Sequence, residues 1–277
     1  KFLVKNYFGM NNLKVIILAA GQGERLRPLT KNLPKCMVNL FGKSILERQI
    51  DIFRNLGIDD ISVVTGYCND KINLDKIQKF ENKNFMTTNM VESLFTAKEK
   101  FNDSVIVSYG DIIFESNIIQ SLIDSRHDIS VVIDKNWQDL WNVRFENPLD
   151  DAESLVLDKN ELILELGQKV ENIDNIQGQF IGLMKFQNDG IIDIVNFYKK
   201  MKLIANSSIN PLNPNLPFEK SFMTDFLQGL IHNNQKLNAI IIKNGWLEID
   251  SLKDYDLYKK MYSDKSLNKL ISFEERH

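Results

Sequence analysis

The chain has 277 residues, with 34 Lys and Arg against 37 Asp and Glu, a formal charge of -3, and hydrophobic and charged fractions of 43% and 26%. A general nucleic-acid binder needs a strong positive excess and a disordered acidic tail is poorer in Ile, Leu and Phe, so both classes are excluded. The length suits one large domain with insertions better than two independent ones.

Cys36 and Cys68 are too few for a disulfide framework, so both are predicted to be core thiols in a reducing compartment. His127, His232 and His277 have no zinc-site spacing, which turns attention to carboxylates and a hard cation, Mg2+. No stretch reaches the roughly 18 apolar residues of a membrane span, and the opening KFLVKNYFGM lacks a secretory core, so a cytoplasmic protein without membrane insertion is expected. Because the chain starts at Lys1, the segment Lys1 to Gly9 is read as added or processed, with Met10 a candidate native start.

In chain order, KVIILAA (14–20), ISVVTG (61–66), SVIVSYGD (104–111) and ISVVI (129–133) read as buried strands. Between them, SILERQIDIFRNLG (44–57) places Ile45, Gln49 and Ile52 near one helical face. Ser44 and Glu47 have capping-box spacing there, and Gly57 suits the C-terminus. A second helix is predicted over 89–101, with Asn89 and Glu92 at N-cap and N3, and a third over 115–125. The alternation predicts an α/β fold, a single Rossmann-like, mostly parallel sheet with helices on both faces. Residues 137–179 read as an irregular elaboration at the open sheet edge, with hairpin strands at 153–157 and 162–166. QFIGLMKF (179–186) reads as a return to the sheet. Helices at 189–202 and 221–233 flank NSSINPLNPNLP (206–217), the best lid or specificity loop. Strands follow at 238–242 and 246–250, then a helix from Ser251 capped with Asp254. The division expected is a main domain over 13–262, an elaboration at about 135–180, an acceptor or lid segment at about 204–222, and a tail from 263 that packs as a helix or frays.

The segment LAAGQGERLRPLTKNLPK (18–35) carries the chemistry. Its glycines follow a strand, so the backbone can turn tightly and present N–H groups to phosphate oxygens or a base. The third glycine of a dinucleotide fingerprint would fall at Leu26, and no Gly-Lys-Ser/Thr closes a P-loop. Arg25 and Lys35 instead supply cations on a segment braced by Pro28 and Pro34, an array suited to a nucleoside triphosphate. Asp111 ends an apolar strand, where a buried carboxylate needs a partner. Asp250 lies between a strand and a helix. Together they can hold a hard cation against phosphates, with Glu248 assisting at one remove and, by strand alternation, facing the same side as Asp250.

The run Gly21-Gln22-Gly23-Glu24-Arg25-Leu26-Arg27-Pro28-Leu29-Thr30, with Leu33-Pro34-Lys35, Asp111 in SYGDIIF and Asp250 in GWLEID, resembles the nucleotidyltransferases that activate sugar phosphates and related metabolites. The resemblance covers roughly residues 13–260. It implies a nucleotide-diphospho-sugar transferase-like fold with an inserted acceptor-binding subdomain, and attack by an acceptor phosphoryl oxygen on the α-phosphorus with loss of pyrophosphate. Arg25, Lys35, Asp111 and Asp250 are then the catalytic set, and Asp111 and Asp250 the Mg2+ ligands.

GQGERLRPLT, LPKCMV, Gly66-Tyr67 and TTNMVESL (87–94) are most similar to the small cytidylyltransferases of the phosphocholine, phosphonate and phosphoglutamine type. That resemblance implies CTP as donor, with Ala20, Gly21, Gln22, Gly23, Glu24, Arg25, Tyr67, Asn89 and Ser93 as nucleotide contacts. The acceptor it implies is a small phosphorylated metabolite, best matched by L-glutamine phosphate for capsular or surface polysaccharide modification. Lys169, Glu171, Gln179, Asp225 and Trp246 are the candidate acceptor contacts, and Trp137, Trp141 and Phe180 are further candidates to enclose a quaternary ammonium. Phosphocholine or a phosphonate remains an alternative acceptor, a sugar 1-phosphate with UTP or dTTP another, and a catalytically inactive nucleotide-binding regulator a third. A monomer or homodimer is expected.

Overall fold

The computed structural model describes residues 12–273, so Lys1 to Gly9 and Met10 lie outside the described residues. The first apolar run forms β1 (Leu13–Ala19), with Val15, Ile16 and Ile17 fully buried. Unbroken apolarity is what a strand covered on both faces requires. A small hairpin, β2 (Asn39–Leu40) with β3 (Lys43–Ser44), leads into α1 (Ile45–Asn55). Ser44 and Glu47 close the expected capping box, and Gly57 at φ 81° ends the helix.

The chain continues through β4 (Asp60–Thr65), β5 (Gln78–Glu81) and α2 (Met90–Thr96). This helix is shorter than expected, giving way to a 3-10 turn at Lys98–Lys100. Asn89 does cap it, accepting from the Met90 N–H, but no capping box forms. The Glu92 carboxylate instead accepts from Tyr198 at 2.7 Å and Lys202 at 2.9 Å, where an opposite charge outweighs a local backbone N–H.

Next come β6 (Ser104–Tyr109), β7 (Ile112–Phe114), α3 (Ser116–Asp124) and β8 (Ile129–Asp134). Within the segment read as irregular lies a further helix, α4 (Trp137–Arg144). Its buried positions, Trp137, Leu140, Trp141 and Arg144, follow helical spacing, but one is an arginine, which hides the apolar period. The predicted hairpin is present as β9 (Glu153–Leu157) and β10 (Ile163–Lys169), and β11 (Gln179–Phe186) returns to the sheet. The rest is α5 (Asp189–Ala205), α6 (Met223–His232), β12 (Asn238–Ile242), β13 (Trp246–Glu248) and α7 (Leu252–Ser263). Ser251 and Asp254 form the expected capping box.

Seven strands make the main sheet in the order β12-β8-β11-β6-β1-β4-β5, parallel except for β11, which runs against both neighbours. Two apolar clusters cover its faces, one with α1, α3, α4 and α7, the other with α2, α5 and α6. The β9–β10 hairpin meets the edge strand β12, where the Ile163 N–H donates to the Leu237 carbonyl at 2.9 Å. Leu267, Leu270 and Ile271 of the tail are buried, and Phe273 packs on Phe41. Cys36 is buried, and burial pushes its thiol up to about 12. Cys68 departs from expectation: it sits half-exposed in a left-handed turn at φ 50° rather than in the core.

Because β4 and β6 flank β1 on opposite sides, the chain leaving β1 enters a crevice beyond the strand C-termini, the usual ligand position in an open α/β sheet. No helix among the described residues is long and apolar enough to cross a membrane.

Candidate active site

After β1 the chain turns through Gly21 and Gly23 into a short 3-10 turn at Glu24–Leu26. Gly23 has φ 62°, and a Cβ there would stand 2.9 Å from the Lys35 Cβ, so only glycine lets the loop close on Lys35. The buried Thr30 hydroxyl donates to the Gly23 carbonyl at 2.6 Å and folds the Pro-braced segment back against the loop.

Asp111 stands between β6 and β7. The Gly110 N–H donates to the Leu18 carbonyl at 2.8 Å, and a Cβ on Gly110 would meet that oxygen at 2.6 Å. Gln49 of α1, fully buried, secures the same turn: its amide donates to the Tyr109 and Ile112 carbonyls and accepts from the Ser108 hydroxyl. β13 pairs antiparallel with β7, and the Ile249 N–H donates to the Asp111 carbonyl at 2.9 Å. Two chain-distant aspartates are thereby fixed side by side.

Lys35 donates to Asp111 Oδ2 at 2.8 Å and to Asp250 Oδ1 at 2.7 Å, while Arg25 Nη2 stands 2.6 Å from Asp250 Oδ2. Burial works against the Lys35 charge, but Asp111, Asp250 and Glu248 together outweigh it and raise its pKa. Asp111, Glu248 and Asp250 each offer an oxygen within 4.8 Å of the others. The Glu248 carboxyl is pushed up to about 7, by burial first and then by Asp111 and Asp250, against Arg144 and Lys35. Asp111 Oδ1 is buried with no hydrogen-bond partner among the described residues. Three clustered carboxylates and one unsatisfied oxygen fit a hard divalent cation such as Mg2+. Glu248, expected only in support of the two aspartates, is the third member of this set.

A cleft of about 430 Å³ opens beside the cluster, walled by Ala20, Gly21, Gly23, Glu24, Arg25 and Lys35 on one side and by Thr88, Asn89 and Ser93 on the other. Gln22 and Tyr67 are not on its wall. The Tyr67 N–H donates to the Ala20 carbonyl and its hydroxyl to the Lys31 carbonyl, so it braces the loop from behind.

A second cavity of about 270 Å³ adjoins the first and shares Arg25, Met90, Tyr109 and Glu248 with it. Its wall carries Trp141, Phe180 and Trp246 together with Asp151, Glu153 and Gln179. Burial pushes the Glu153 carboxyl up to about 7, with Asp151, Asp225 and Glu248 adding repulsion. Of the expected acceptor contacts, Trp246 and Gln179 reach this wall, but the Gln179 amide is engaged with the backbone N–H and carbonyl of Glu153. Lys169 and Glu171 do not reach it: they are exposed at the end of β10 and just beyond. Asp225 is also absent from the wall, because its carboxylate accepts from the Phe222 N–H and the Asn213 amide at the start of α6. Trp137 is buried in the core instead.

The expected lid, residues 206–217, lines neither cavity; Asn210 bonds Ser221 in the interior, Asn213 bonds Asp225, and only Phe222–Thr224 reach the second cavity. Side-chain amides thus tie the loop down where it was expected to be free. Asp151, Glu153 and Arg144 were missed. The acidic run DDAE (150–153) was a usable signal, but nothing in its spacing showed that it faces inward.

Residues 15–155 match the family model of the MobA-like NTP transferase domain. CTP:phosphoglutamine cytidylyltransferase of Campylobacter jejuni is 38% identical over 256 residues, which cover 88% of this chain and 98% of that protein. Choline-phosphate cytidylyltransferase of Streptococcus pneumoniae is 32% identical over 119 residues, 42% of this chain and 52% of that one. The solved structure of a CTP:phosphocholine cytidylyltransferase from Streptococcus pneumoniae has a TM-score of 0.68 at 21% identity, covering 90% of this chain and 99% of the other. At that identity the likeness speaks for the fold. Nucleotidyltransferases of this kind generally act with a divalent metal. From its glycine loop to its sheet, the chain belongs to the MobA-like NTP transferase family of nucleotidyltransferases.

Proposed function

We propose that the protein transfers a cytidylyl group from CTP to glutamine phosphate and releases pyrophosphate. The observation that carries this reading is the meeting of two cavities at one carboxylate cluster: a glycine-loop cleft, and an acidic and aromatic pocket that shares Arg25, Tyr109 and Glu248 with it. The identity to the Campylobacter jejuni enzyme along nearly its whole length supports the choice of donor and acceptor.

In this reading an acceptor phosphoryl oxygen attacks the α-phosphorus in line, the bond to the bridging oxygen breaks, and pyrophosphate leaves. The acceptor is already anionic, so no protein nucleophile is needed, and alignment with charge neutralisation lowers the barrier. Loop N–H groups with Asn89 and Ser93 hold the nucleotide; Arg25 meets the departing β- and γ-phosphates, and Lys35 the α-phosphate or acceptor phosphate. Asp111, Glu248 and Asp250 would hold the divalent cation, Mg2+, which when bound would neutralise phosphate charge and polarise the reacting phosphoryl group. Asp151 and Glu153 face the acceptor's ammonium group.

Choline phosphate is the second reading, favoured by Trp141, Phe180 and Trp246, since aromatic faces attract a quaternary ammonium. Initial rates of pyrophosphate release separate the two. CTP, UTP, dTTP, ATP and GTP are each paired with glutamine phosphate, choline phosphate, a phosphonate and a hexose 1-phosphate. The highest kcat/KM is expected with CTP and glutamine phosphate. Preference for choline phosphate establishes the second reading, and activity only with UTP or dTTP and the hexose phosphate overturns both.

A further inference from the structure

Arg144 belongs to neither cavity wall, yet it joins the carboxylate cluster to the helix that carries an aromatic wall residue. It ends α4, three residues after Trp141, and its guanidinium is almost completely buried, with 2% of the side chain exposed. Nη1 donates to Glu248 Oε2 at 2.7 Å; Nε and Nη2 donate to the two oxygens of Asp254 at 3.1 and 3.3 Å. Asp254 Oδ2 in turn accepts from the backbone N–H groups of Asp250 at 3.1 Å and Ser251 at 2.9 Å. One side chain therefore grips Glu248 directly and the Asp250 backbone through Asp254.

Structural stabilisation alone is a weak explanation for such a group. A buried ion network recovers its desolvation cost only with excellent geometry, and an apolar side chain of similar size often serves folding equally well. What an apolar side chain cannot do is hold the carboxylates of Glu248 and Asp254, on either side of the β13–α7 turn that carries Asp250, at a fixed separation. A planar guanidinium with several donors in a fixed fork can. Partners behind ligating carboxylates orient them and commonly set metal affinity by 10- to 100-fold.

We propose that Arg144 is the positioning residue of the cation site, setting the spacing of Glu248 and Asp250 relative to Asp111. The proposal rests on the reading of Asp111, Glu248 and Asp250 as cation ligands, and its test keeps the two apart. Binding of Mn2+ alone is followed by water-proton relaxation in the wild type, R144M, R144K and D250N, with thermal unfolding measured on the same samples. In the wild type Mn2+ binds and D250N removes that binding. R144M weakens it by at least about 10-fold. R144K falls between, because a lysine ammonium lacks the wide planar fork by which the guanidinium reaches Glu248 and both oxygens of Asp254. Pyrophosphate release by R144M rises toward the wild-type rate as metal is raised, with KM for CTP at saturating metal near the wild-type value.

Failure of the wild type to bind Mn2+, or binding unaffected by D250N, overturns the ligand reading itself. Wild-type Mn2+ affinity in a folded R144M, with or without a lowered unfolding temperature, overturns the role of Arg144 alone. Should R144M not fold, R144K decides: unchanged Mn2+ affinity in folded R144K contradicts the proposal, and weakened affinity supports it.

Discussion

The Lys35 ammonium bridges two carboxylates, standing 2.8 Å from Asp111 and 2.7 Å from Asp250. The contact places a protein cation among the oxygens read as ligands of a divalent metal, so Lys35 both neutralises the cluster and competes for it. K35M is expected to bind Mn2+ alone more tightly than the wild type while losing turnover by about 100-fold or more, the usual scale for removing one charge-stabilising donor. Relaxation titrations and pyrophosphate release on one preparation check both halves. Weaker Mn2+ binding in K35M would show that the lysine organises the cluster and does not compete for it.

Glu153 gives a pH dependence with a defined sign. Its carboxyl is raised to about 7 in the folded protein, by burial first and then by Asp151, Asp225 and Glu248. If it pairs with an ammonium-bearing acceptor, KM for that acceptor falls as pH rises through about 7, and E153Q flattens the profile, raising KM with little change in KM for CTP. Stability moves the other way. Between the ordinary glutamate pKa and about 7 the folded state binds more protons than the unfolded state, so stability declines as pH rises through that window. E153Q removes that decline, gaining on the wild type at pH 8 relative to pH 5. Parallel melting curves at the two pH values test this.

Gln49 anchors the Asp111 turn from a helix that lines neither cavity. Q49L takes the Gln49 donor from the Tyr109 and Ile112 carbonyls and leaves the Ser108 hydroxyl only the Tyr109 carbonyl, at 3.1 Å; each group left unsatisfied in the interior costs about 1–3 kcal/mol. A lowered urea midpoint with an unchanged m-value is expected, together with reduced kcat at saturating CTP. Wild-type kcat in a destabilised Q49L would limit Gln49 to folding.

The sequence made the strand–helix alternation, the capping boxes at Ser44 and Ser251 and the glycine loop readable, because each is written in local spacing or in a special backbone conformation. Other features depend on tertiary geometry. Helix α4 was hidden because Arg144 occupies a buried position on its inner face, and its partners Glu248 and Asp254 lie over a hundred residues away. Asp225 and Gln179 had the right chemistry for a ligand, but local backbone groups claim their polar atoms. The segment over 206–217 looked free on Pro and Asn content, yet the same asparagines pin it to the body of the protein. Glu248 was legible as a neighbour of Asp250, but its place in the cluster follows from β13 pairing with β7.

The most direct test of cytidylyl transfer at Asp111, Glu248 and Asp250 is phosphorus NMR of the products formed from CTP and glutamine phosphate with Mg2+, comparing the wild type with D250N. The wild type should form a new diphosphate-linked product and one equivalent of pyrophosphate, both absent after metal chelation. Folded D250N should form them at least about 100-fold more slowly. Equal product formation by D250N, or by the wild type after complete metal removal, would contradict the account.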